Sequence, residues 1–88
     1  MKIPTTIFEI MTLLKSIDDS DKPSVINPGL TVTQAKDIMI KGIRDRSGSF
    51  SNNSRDVSTL TNALSVIYGR KPRGIRPLVR KALAGRKP

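Results

Sequence analysis

Only three of the 88 residues are aromatic, Phe8, Phe50 and Tyr68, and none is cysteine or histidine. A chain this short buries roughly 60–65% of its unfolded surface. Here it must do so with Ile, Leu, Val and Met. Such a core is thin, and neither a disulfide nor a Cys/His zinc site can staple it. Thin cores draw stability from a bound partner or a second copy. A homo-oligomer is therefore kept among the expected partners.

The aliphatic residues recur at helical spacing. The first helix is expected from Thr6 to Ile17, with Ile7, Met11 and Leu14 on one face and Ile10 and Ile17 beside it. Phe8 and Leu13 widen that stripe, which marks this helix as the central one. Thr6 and Glu9 have the capping-box spacing, in which hydroxyl and carboxylate satisfy each other's orphan amides. Thr31 and Gln34 repeat it ahead of a second helix, Val32 to Asp45, striped by Val32, Ala35, Ile38, Met39 and Ile43. A third is expected from Val57 to Tyr68, with Val57, Leu60, Leu64 and Ile67 as its seam. Asp56 or Ser54 would cap it, and Gly69 would stop it. A short fourth runs from Pro77 to Ala84, with Leu78, Val79, Ala82 and Leu83 inward.

Between them lie Asp18 to Gly29, rich in turn formers, and Arg46 to Arg55, whose Ser, Gly and Asn predict a mobile loop. Phe50 in that loop reads as an anchor onto the core. The fold expectation is an all-α, small single domain of about four short helices around an aliphatic core, with polar loops. Residues 1–69 form a three-helix core. Residues 70–88 form a basic loop and short helix packed on the same domain.

Charge carries the functional signal. The stretch from Gly69 to Pro88 holds Arg70, Lys71, Arg73, Arg76, Arg80, Lys81, Arg86 and Lys87, and no acid. The rest of the chain carries the other eight of 16 basic residues and all seven acids, so +8 of the net +9 sits at this end. That asymmetry predicts a polyanionic partner. The third helix adds Ser58, Thr59, Thr61 and Asn62, an uncharged polar face suited to base or sugar contact. The competing reading is a semi-buried helix whose hydroxyls bond its own carbonyls.

Catalysis has no footing. There is no His or Cys, and Glu9, the only Glu, is used in capping. Gly69 to Gly74 has the outer spacing of a phosphate-binding P-loop but lacks the Lys-Ser/Thr that must follow. Asp19, Ser20 and Asp21 open like a calcium loop, yet Leu30 stands where the bidentate Glu belongs. No enzyme, cofactor or metal is expected. Pro4 and Glu9 break any signal-peptide core, and no apolar run approaches the roughly 20 residues of a membrane span. A soluble, intracellular, cytoplasmic protein without a membrane partner is expected.

Arg70 to Pro77 reads RKPRGIRP. Pro72, Arg73 and Gly74 resemble the first three positions of the AT-hook core, Pro-Arg-Gly-Arg-Pro, which lies in the DNA minor groove. Ile75 then intrudes, and Arg76 and Pro77 follow one place late. The chain is not assigned to that family; the competing reading is a basic inter-helix loop. A helix-turn-helix needs a turn of three or four residues, and the connectors read from the sequence are longer. Three aromatics are too few for stacking along a single strand. The expected partner is duplex DNA or structured RNA, held at its phosphates by the basic segment of a regulatory or accessory factor. The alternative is an interaction module, such as an inhibitor, adaptor or viral particle component, docking on an acidic protein surface.

Overall fold

A computed structural model describes residues 2–85. Four helices follow in chain order: α1 (Ile7–Lys15), α2 (Val32–Asp45), α3 (Ser54–Tyr68) and α4 (Pro72–Leu83). The described residues contain no strand, only two isolated bridges, Thr6 with Ser49 and Pro23 with Thr31. The protein is a small all-α domain.

Both capping boxes form. The Glu9 amide donates to Thr6 Oγ1 at 3.3 Å, and the Thr6 amide donates to Glu9 Oε1 at 3.3 Å. On α2, the Gln34 amide donates to Thr31 Oγ1 at 3.1 Å and the Thr31 amide to Gln34 Oε1 at 2.9 Å. The Thr5 amide, and then the hydroxyls of Thr6 and Thr5, hold the Glu9 carboxyl below its ordinary pKa, against partial burial that pushes the other way. A lowered folded pKa adds stability that is complete above the unfolded value and lost as pH falls through the folded one. The thermal midpoint of Glu9→Gln is therefore expected to lie below that of the wild type at neutral pH, and the two should converge in acid. A gap that stays constant from pH 7 to below the carboxylate range would refute this.

Helix α3 is the central element, not α1. It buries eight of its 15 residues, whereas α1 buries only Ile10 and Leu14. Packing follows chain order, α1 on α2, α2 on α3 and α3 on α4. Helix α1 is the more apolar by composition, but only one side of it finds a neighbour. Phe8 is left 78% exposed on the other. The core joins Ile3, Ile10, Leu14, Ala35, Met39, Ile43, Phe50, Val57, Leu60, Ala63, Leu64, Val66, Ile75, Val79 and Leu83. Phe50 is fully buried, as an anchor should be. It reaches the core because Gly42 has no side chain: a Cβ there would lie 3.2 Å from the Phe50 ring.

The 46–53 connector is tied down rather than loose. Asp56, 2% exposed, accepts from Arg46 Nε and, at 2.8 Å, from the Ser51 amide. Arg46 Nη1 donates to the Gly42 carbonyl at 2.9 Å, and the guanidinium lies 5.4 Å from the centre of the Phe50 ring. The cap of α3 is Asn53, whose side chain accepts from the Asp56 amide at 2.9 Å, so α3 starts earlier than Val57. Gly69 ends it in the left-handed conformation, φ 68°.

Helix α4 departs most from expectation. It begins at Pro72 rather than Pro77, and its inward face is Ile75, Val79 and Leu83, with Leu78 partly exposed. Either proline fits a first helical position. Burial of Ile75 decides between them, because an extended 72–76 segment would leave it in solvent. Pro77 sits inside the helix, where its missing N–H leaves the Arg73 carbonyl without a donor four residues on. The AT-hook-like residues are thus helical, with the intruding Ile75 in the core. No helix among the described residues is long and apolar enough to cross a membrane.

Candidate nucleic-acid interface

The connector between α3 and α4 is only residues 69–71. Arg70 closes it: its amide donates to the Ser65 carbonyl at 3.0 Å, and its own carbonyl accepts from Ser65 Oγ at 2.6 Å. So short a turn meets the length requirement of a helix-turn-helix, but the path of α4 does not fit that motif. Arg76 and Arg80, well along α4, line one groove with Asn52, Asn53, Ser54, Val57 and Ser58 at the beginning of α3. Helix α4 therefore runs back along α3 as an αα-hairpin.

That hairpin positions the cations. Arg73, Arg76 and Arg80 have i, i+3, i+7 spacing and form one stripe along α4, beside the buried stripe of Ile75, Val79 and Leu83. Arg76 is half-buried; Arg70, Lys71, Arg73, Arg80 and Lys81 are exposed. Lys81 lies outside the stripe, farther round the helix. Arg86 and Lys87 lie outside the described residues. Lys71, the N-cap of α4, and Arg73 border a second, more open depression with Val25, Ile26 and Pro72.

The ion pairs among the described residues are Lys2 with Glu9, Lys36 with Asp19, and Arg46 with Asp56. None involves the six described cations of the carboxyl-terminal segment. The α3–α4 groove, about 270 Å³ in volume, is lined by two guanidiniums, amide and hydroxyl side chains and Val57, with no carboxylate. Such a lining offers hydrogen-bond donors to an anion and no group that could act as a general base. Among the described residues, no three His, Cys, Asp or Glu cluster to hold a metal ion.

The polar face expected on α3 divides. Ser58 lines the groove, and Asn62, one turn on, is exposed. Thr61 is fully buried and cannot touch a ligand, because α3 is covered on more sides than its periodicity suggested. Thr59 is half-buried, its methyl against the Gly42 position on α2. The Thr61 hydroxyl has no hydrogen-bond partner among the described residues. An unpaired buried hydroxyl costs about 1–3 kcal/mol. Thr61→Val, which keeps the shape, is thus expected to raise stability by about 1 kcal/mol in urea unfolding; a loss of stability would contradict the assignment.

Asn52 and Asn53 were not singled out from the sequence, and Ser54 was read only as a possible helix cap. The available signal was the Asn-Asn-Ser run before an apolar stripe, which marks a helix start. Only the return of α4 makes that start one wall of a groove. The protein is thus an all-α domain with one cationic helical hairpin. No protein-family model, curated protein or solved structure matches the chain.

Proposed function

We propose that this chain is a small, basic, intracellular nucleic-acid-binding protein, a regulatory or accessory factor that grips the phosphate backbone of duplex DNA or structured RNA. One observation carries the proposal: Arg76 and Arg80 line a carboxylate-free groove on a segment whose six described cations make no ion pair. Planar guanidiniums suit phosphate oxygens, which they can meet with two parallel N–H bonds. Ser58, Asn52 and Ser54 would add donors for sugar and phosphate, and Arg70, Lys71, Arg73 and Lys81 would widen the cationic field. No aromatic side chain lines the groove, which favours backbone contact over base stacking.

The test is an electrophoretic mobility assay with mixed-sequence duplex DNA and with structured RNA across a salt series. If about five phosphates are neutralised, log K should fall against log[salt] with a slope of about −4 to −5. Failure of both nucleic acids to bind at low salt would overturn the proposal. It would leave an acidic protein surface as the partner of the same cations.

A further inference from the structure

We propose that the outer face of α1 is a self-association surface and that its partner is a second copy of this chain. The inference stands independently of nucleic-acid binding. A two-fold contact puts the same patch of each copy against the other, so a projection and a recess on one patch can fill each other. This face has both. Phe8 projects with 78% of its surface exposed. Phe8 is itself one wall of a groove of about 240 Å³, with Pro4, Leu13 and Tyr68 as its other apolar walls and Lys2, Glu9 and Thr12 also lining it. A phenyl ring is benzene-sized, and cavities of about 150 Å³ hold benzene, so the recess can take the ring of a partner's Phe8.

Charge selects the occupant. Two copies of a +9 chain repel each other wherever unpaired cations meet. The charges lining this groove instead are one of each sign, Lys2 Nζ lying 3.5 Å from Glu9 Oε2. A two-fold axis through the groove would set each Lys2 against the other copy's Glu9, a self-complementary arrangement. The arginine groove is out of the way. It lies at the start of α3, whereas Tyr68 ends that helix ten residues beyond Ser58, roughly 15 Å along the axis. Pairing through α1 therefore leaves both arginine grooves open.

Sedimentation equilibrium of the full chain, at about 5 to 500 μM and at low and high salt, tests this by mass action. The expected result is a dimer whose fraction rises with concentration. Added salt should strengthen it, because screening weakens the repulsion between copies. Phe8→Glu should weaken association at least tenfold. Phe8 is exposed and lies in the first turn of α1, where an acid is favourable, so helicity and thermal midpoint at low concentration should be unchanged. A monomer mass at every concentration would overturn the proposal. So would a folded Phe8→Glu variant that associates as tightly as the wild type.

Discussion

Asp56→Ala is expected to destabilise the protein by about 3 kcal/mol, read as a lower urea midpoint at unchanged slope. The carboxylate is 2% exposed and serves two partners, the Arg46 guanidinium and the Ser51 amide. Removing it leaves a guanidinium whose side chain is only 16% exposed with the Gly42 carbonyl alone, and takes the acceptor from the Ser51 amide. Chains of this size have total stabilities of roughly 4–13 kcal/mol, so the loss is a large share of the whole. Arg46→Ala should cost less, because Asp56 keeps the Ser51 amide. A double-mutant cycle should show a coupling of about 1–3 kcal/mol between the two. A cost below about 1 kcal/mol for Asp56→Ala would mean that this pair does not hold the 46–53 connector.

Replacing Arg76 and Arg80 together with alanine is expected to weaken nucleic-acid binding at least about 100-fold at about 0.1 M salt, since charged hydrogen bonds contribute about 1.5–3 kcal/mol each. The salt slope should become shallower by about 2, one unit for each phosphate released. The informative control is Lys15→Ala with Lys41→Ala, two exposed lysines outside the basic segment. It removes the same net charge. A patch-based mechanism leaves that control, measured at about 0.1 M salt, within about twofold to threefold of wild type, because exposed charges farther from the ligand than a Debye length of about 10 Å are screened there. Equal losses in the two double variants would show that total charge, not the groove, attracts the ligand.

What could be read in advance follows from how local the governing physics is. The capping boxes at Thr6 and Thr31 are satisfied within four residues, and both formed as spaced. Gly69 stops α3 for an equally local reason, its positive φ. The misjudged features are set by distant partners. Ile75 belongs to a helix because a core exists to receive it, and that core moves the start of α4 from Pro77 to Pro72. Thr61 is buried because α2 and α4 both cover α3. Arg46 and Asp56 are ten residues apart with no pattern linking them, yet their pairing converts an apparently loose run into an ordered one. The cationic character of the segment was legible as composition. Its convergence with Asn52 and Ser54 on one groove was not, since that depends on α4 doubling back.

The burial of Ile75, Val79 and Leu83 has a thermodynamic consequence for whatever docks on α4. The main chain beneath the arginines is already ordered, so an incoming polyanion need not fold it. A basic tail that coils up only on contact shows a large negative heat-capacity change and surrenders several kcal/mol to ordering. Here calorimetry should instead record a small heat-capacity change, with entropy dominated by released counterions.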